Sequence, residues 1–222
     1  MAMEKHWASK QTVKHDEVRD ILAQWLDWVL THRREVALGA AGVAAAAVLI
    51  SLFFYSRISR ENEAWDKLAM AEAYSYYGRA PEAATALAEL SAQNANPTAA
   101  GLAGLMEGDL KRTQGEHDKA VAAYSHAAET SPEPLKPFAL AEKAAALEAA
   151  GKPAECIAAA TAFLDANGEH FLAARVYEMQ ARCQLAAGQA DAAKATWQKI
   201  TLQFPDTAWA ARANARLQPP AK

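Results

Sequence analysis

The sequence predicts an all-α chain in which an N-terminal amphipathic helix, one transmembrane helix and a solenoid of four helical hairpins with a capping helix follow in order. Three observations predict it. Residues 36–55, VALGAAGVAAAAVLISLFFY, run without a charge. Glycines 78, 115, 151 and 188 recur at spacings of 37, 36 and 37 residues, each closing an Ala-rich stretch of helical character. Upstream of the uncharged run, apolar residues recur at helical spacing over residues 14–34. The 222 residues, 52% apolar and 22% charged, are enough for one folded domain plus an appendage.

In the tail, Val18, Ile21, Leu22, Trp25 and Val29 fall on one helical face, with Asp16, Glu17, Arg19, Asp20 and Asp27 mostly opposite. Trp25 and Trp28 near the membrane-proximal end suit a helix lying against lipid headgroups, although its acidic residues do not favour anionic lipid. A partner protein could use the same face. Residues 1–12 show no period and are expected to be flexible. The tail is assigned to residues 1–34.

The uncharged run opens on Val36 and closes on Tyr55, and as a helix rising about 1.5 Å per residue it spans roughly 30 Å, one hydrocarbon core. A signal peptide has a shorter apolar core and a shorter leader. His32, Arg33 and Arg34 border the run on one side, and Phe53, Phe54, Tyr55, Arg57 and Arg60 on the other, as at headgroup depth. The transmembrane segment is set at residues 35–57, with the lipid bilayer as its partner. Lys and Arg within twenty residues tie at three on each side, Arg19, Arg33 and Arg34 against Arg57, Arg60 and Lys67. The whole tail carries six, which favours the N-terminus inside. Small residues stack within the run, Ala37/Ala41/Ala45 and Gly42/Ala46, and permit close approach of another helix or a homo-oligomer, although Ala-rich spans are common in Ala-rich chains.

No proline precedes Pro81, so nothing forces a break between this helix and the helical stretch beginning near residue 61. Aligned on the four glycines, small residues stand seven positions before (Ala71, Gly108, Ala144, Ala181) and five after (Ala83, Ala120, Cys156, Ala193). Paired helices approach closely only where both carry small side chains, so these columns mark the crossing of each hairpin. Nine positions after each glycine come Leu87, Tyr124, Ala160 and Trp197, mostly bulky residues that fill the space beside it. Pro132 and Pro205 end their helices. The units run 61–97, 98–133, 134–170 and 171–206 within a domain of residues 58–218. DTAWAARANARL then supplies a cap over 207–217, with Asp206 or Thr207 as N-cap and Trp209 covering the last repeat. Residues 219–222, opening on Pro219 and Pro220, are expected to form a short disordered tail.

This pattern resembles the tetratricopeptide repeat. The second unit matches through Gly108, Gly115, Ala120, Tyr124, Ala127 and Pro132. The fourth matches through Tyr177, Ala181, Gly188, Ala193, Trp197 and Pro205, with Ile200 where Ala is usual. The first keeps Ala71, Tyr74, Gly78 and Ala83. The third has Ala160 for the aromatic and Gly168 for the proline, so its packing is expected to be looser. The resemblance implies a concave protein-binding groove lined by the first helix of each hairpin: Trp65, Leu68, Glu72 and Tyr76, then Leu102, Leu105, Asp109 and Arg112, then Phe138 and Glu148, then Arg175, Glu178 and Arg182. On this register the membrane-proximal half is apolar and the distal half charged; alternatively Trp65, Leu68 and Leu102 pack against the preceding helix or the cap.

Little points to chemistry. The net charge of −3 leaves no basic surplus for nucleic acid. The six histidines form no HxxxH pair and no acidic cluster accompanies them, so they read as surface residues, with no metal and no cofactor expected. There is no phosphate loop, no GxSxG and no catalytic cysteine context, and no enzyme is expected. Cys156 opens the second helix of unit three and Cys183 ends the first helix of unit four, at the same end of adjacent helices. The simpler expectation is that both are buried small hydrophobes. A disulfide is the alternative if the domain faces an oxidising compartment.

The order of tail, single span and repeats is similar to that of a bacterial family of inner-membrane ancillary subunits of the SecYEG translocon, the likeness lying in layout and in the stretch from Val18 to Tyr55. It implies a periplasmic repeat domain, an inner-membrane location and partners among the translocon and periplasmic chaperones. Two other readings stand beside it: a structural subunit of a multi-copy envelope complex, and a receptor of opposite orientation facing the cytoplasm.

Overall fold

The computed structural model describes residues 9–93 and 96–218, with side chains from residue 19 onward, and every regular element among them is helical. The helices are α1 (Ser9–Thr31), α2 (Arg33–Tyr76), α3 (Ala80–Ser91), α4 (Pro97–Thr113), α5 (His117–Thr130), α6 (Lys136–Ala149), α7 (Pro153–Asn167), α8 (Ala173–Ala186), α9 (Ala190–Gln203) and α10 (Ala208–Leu217). Two compact units divide at residues 58 and 59. The tail assigned to 219–222 and the first eight residues of the stretch expected to be flexible lie outside the described residues. Residues 9–12 of that stretch are helical, the first turn of α1.

In the first unit, α1 stops where the amphipathic pattern meets the charged cluster His32-Arg33-Arg34-Glu35. His32 N–H donates to the Trp28 carbonyl at 2.9 Å, and the next rung is Val36 N–H to the His32 carbonyl at 3.0 Å. Between these rungs one helix ends and another begins. Residues 36–55 all lie in α2, whose most apolar eighteen-residue window has none of its residues buried. Among the described residues, α2 is the one helix long and apolar enough to cross a membrane.

The second unit is a stack of hairpins in which, from α3 onward, each helix packs on its sequence neighbours and α6 reaches α4 and α8, as α8 reaches α10, while the end of α2 shares a core cluster with α3 and α4. Its first helix is the end of α2, with no separate element beginning near residue 61. The hairpin turns are made by the four spaced glycines, at φ of 72°, 77°, 68° and 75°. That left-handed region strains any residue with a Cβ and ends a helix in a Schellman turn. The diagnostic six-to-one bonds are present at all four: Arg79 N–H to Tyr74 O (2.8 Å), Glu116 to Lys111 (2.9 Å), Lys152 to Leu147 (3.0 Å) and Gln189 to Gln184 (2.8 Å).

The small-residue columns sit where the helices cross. Ala71, Ala144, Ala181, Ala83, Ala120, Cys156 and Ala193 are fully buried, and Gly108 is buried with its α-carbon so close to the Tyr124 ring that a Cβ there would overlap it. Leu87, Tyr124 and Trp197 fill the space beside the crossing. Unit three, which lacks that bulky residue at Ala160, is not looser. Phe163, one turn further along α7, is fully buried and belongs to the cluster that joins α6, α7, α8 and α9. At the end of the stack, Thr207 caps α10 by accepting from Ala210 N–H at 3.2 Å, and Trp209 packs on the last core cluster beneath the Arg212 guanidinium, 4.1 Å from its ring centre.

Candidate binding groove

The first helices of the hairpins, α2, α4, α6 and α8, carry the residues assigned to a groove, and the structure sorts them into three groups. Leu68 leaves the groove. It is 5% exposed and belongs to a core cluster with Ala64 and Ala71 of α2, Leu87 and Leu90 of α3, and Ala99 and Ala103 of α4. Leu102 packs on the same cluster and Leu105 on Ala120, Tyr124 and Ala146, both half-buried. What remains of the apolar half assigned to α2 and α4 is Trp65, 42% exposed, and Tyr76, 86% exposed, with Glu72 exposed between them.

The second group is the charged residues, and they answer one another. Asp109 accepts from Arg112 Nη2 at 2.9 Å and from the Tyr124 hydroxyl at 2.8 Å. Burial raises the Tyr124 hydroxyl well above its ordinary range, and the hydrogen bond to Asp109 raises Arg112 further above its own. Arg175 donates to Glu142 at 2.6 Å. Arg182 grips Glu148 through two bonds, Nε to Oε1 at 2.6 Å and Nη2 to Oε2 at 2.7 Å, which lift its pKa against the opposing effect of burial. Arg182 also lies 3.7 Å from Glu178, and Arg212 of the capping helix donates to Glu178 at 2.8 Å. Acid and base thus alternate across α6, α8 and α10.

Glu142 and Arg212 were absent from the groove read out of the sequence. Their signal was separation: the three inter-helix pairs Glu142–Arg175, Glu148–Arg182 and Glu178–Arg212 lie 33, 34 and 34 residues apart, close to the repeat period. A glutamate in one first helix therefore meets an arginine in the next.

The third group is aromatic. Phe138, 36% exposed, lies 5.7 Å from Phe171, 72% exposed, and the His170 ring lies 4.4 Å from Phe171 at a tilt of 32° and edge-on to Phe138 and buried Phe163. The turn between α7 and α8 brings these rings together, with His170 Nδ1 accepting from Leu172 N–H at 3.3 Å. His170 is thus part of an aromatic step and not an isolated surface residue. First helices whose groove charges, Glu72 apart, are spent on each other, with exposed aromatic rings beside them, can hold apolar side chains of another chain. Among the described residues no group of three or more His, Cys, Asp or Glu is placed to hold a metal ion.

Cys156 of α7 and Cys183 of α8 are joined, with an S–S distance of 2.07 Å and Cα atoms 6.2 Å apart. Both are buried, as the simpler reading required, but they are not two free thiols. The α7–α8 turn carries the chain back so that Cys183, two residues past the Ala181 column, comes to the Cys156 sulfur.

No protein-family model matches this chain, and no curated protein matches it. Solved structures do. A tetratricopeptide repeat protein from Parabacteroides merdae aligns with a TM-score of 0.58 at 15% identity, over 70% of this chain and 59% of that one. A putative kinesin light chain with nearly identical tetratricopeptide-like repeats from Podosopora anserina gives 0.55 at 16% identity, over 71% of this chain and 84% of its own. A MamA protein gives 0.53 at 14% identity, over 72% and 80%. At these identities the likeness is one of fold, and the fold is a tetratricopeptide-like α-solenoid.

Proposed function

We propose that this chain is a single-span inner-membrane protein whose solenoid binds other proteins, and that it serves as an ancillary factor of the translocon and the periplasmic chaperone network. The observation that carries the anchor is the segment 36–55. Leu38, Val43, Val48, Leu49, Ile50, Leu52, Phe53 and Phe54 are all more than half exposed along α2 among the described residues. Leaving such side chains in water forgoes about 1.5–3 kcal/mol each, which supports a hydrocarbon environment for this segment.

The other parts of the reading have their own supports. Arg33 and Arg34 beside the span favour an N-terminus inside. The buried Cys156–Cys183 bond suits an oxidising compartment and supports a periplasmic solenoid. The paired charges and open rings of the groove favour a client held by apolar contacts at Trp65, Phe138 and Phe171. The test is affinity purification of the intact chain in mild detergent. Translocon subunits should co-purify. Recovery of a ring or self-oligomer without them would replace this function with that of a multi-copy envelope subunit.

A further inference from the structure

α1 presents an apolar surface far larger than a peripheral tail needs. Ile21, Leu22, Trp25, Leu26 and Trp28 are each more than half exposed. At 100° per residue they and Val29 cover an arc of about 160°. Asp20, Gln24, Asp27 and Thr31 occupy the opposite side. A two-stranded coiled coil needs only a narrow seam, so this width exceeds what a second copy would cover.

Three features select the occupant. The helix break at His32 lets α1 leave the axis of α2 at the charged cluster bordering the span. Trp25, Trp28 and His32 form a continuous run of rings at that end, with centroids 6.1 Å and 5.0 Å apart, and tryptophan concentrates at headgroup depth. Over residues 9–31, Lys10, Lys14 and Arg19 are outnumbered by Asp16, Glu17, Asp20 and Asp27, so the helix has no charge with which to seek anionic lipid.

We infer that α1 is an in-plane interfacial helix that buries its tryptophan face at the boundary between headgroups and acyl chains of a zwitterionic bilayer, on the side where the N-terminus lies. The inference rests on the reading of α2 as the membrane span. Its 23 residues would lie along roughly 34 Å of membrane surface. The chain would then be held by a span and a surface helix meeting at His32, an arrangement that fixes the tail against the leaflet.

The test uses the full chain, whose two native cysteines are bonded and leave an introduced thiol as the one to be labelled. Single substitutions Asp20→Cys, Ile21→Cys, Leu22→Cys, Asp27→Cys and Val29→Cys carry a nitroxide, with Val43→Cys as the reference inside the span, in phosphatidylcholine vesicles. Collision with oxygen should exceed collision with a water-soluble nickel complex at 21, 22 and 29, reverse at 20 and 27, and be unchanged when anionic lipid is added. Nickel access at 21, 22 and 29 would overturn the inference and leave the face for a soluble partner. Shielding from both reagents with spin–spin broadening would overturn it in favour of a second copy. Nickel access at 43 would instead remove the span on which it rests.

Discussion

Removing the Cys156–Cys183 bond tests both the packing of the solenoid and the compartment assigned to it. The bond closes a loop with a sequence separation of 27. In the chain-entropy model such a loop withholds about 3.5 kcal/mol of freedom from the unfolded chain. Cys156→Ala/Cys183→Ala is the suitable variant, because alanine already stands in the Cys156 column at Ala83, Ala120 and Ala193, each fully buried. For a domain of this size roughly 2–4 °C accompanies each kcal/mol, so the melting temperature should fall by about 7–14 °C. The assay is thermal unfolding by circular dichroism, on protein refolded from denaturant with and without reductant. The wild type should lose that stability on reduction, and the double variant should be indifferent to reductant. A wild type that melts at the same temperature in both, or two free thiols by mass spectrometry of the exported protein, would refute the reasoning.

Gly108→Ala should destabilise the fold, since the roughly 1 kcal/mol gained in helix propensity is outweighed by the overlap of the new Cβ with the Tyr124 ring, an overpacking cost of about 1–3 kcal/mol. In a Tyr124→Leu background the same change should become stabilising, and thermal melts of the four proteins decide it. Glu178→Gln removes the carboxylate of Arg212 but leaves Arg182 with Glu148, so urea unfolding should show a loss of under about 1 kcal/mol. Phe171→Ser should leave the melting temperature nearly unchanged, its ring being 72% exposed, while sharply reducing client recovery in the affinity purification. Hydrogen bonds from Lys119 and Lys111 hold the Glu116 carboxyl below its ordinary range, and Lys152 does the same for Asp118. Carboxyls depressed by folding stabilise above the ordinary carboxylate range and lose that contribution as pH falls through their folded values. Melting temperature should therefore be level from pH 7 to 5 and drop below about pH 4, less steeply in high salt.

What the sequence made legible is what backbone chemistry enforces locally. A glycine every 36 or 37 residues marks a left-handed turn that other residues resist, and once those turns are aligned the crossing columns and the cap at Thr207 follow. The same register named the face on which Leu68 lies, yet not that it would join a core cluster with α3 and α4, because burial depends on how the following helices approach. Phe171 and His170 escaped for a similar reason: they sit in a connection whose path no period describes. The arginine–glutamate pairing was written in the separations of 33 and 34 residues, and a search for opposite charges at the repeat period would have found Glu142 and Arg212. The joining of Cys156 to Cys183 needed the return angle of the α7–α8 turn, which composition does not encode.

The most direct test of the account is on which side of the proposed inner-membrane span the solenoid lies, since the proposed client and the fit of the disulfide to its compartment both depend on it. Leu202→Cys places a thiol on an exposed position of α9 while the native pair is bonded. An impermeant maleimide applied to cells whose outer membrane has been opened should label this residue without lysis. Labelling only after the inner membrane is broken would put the solenoid in the cytoplasm and contradict the account.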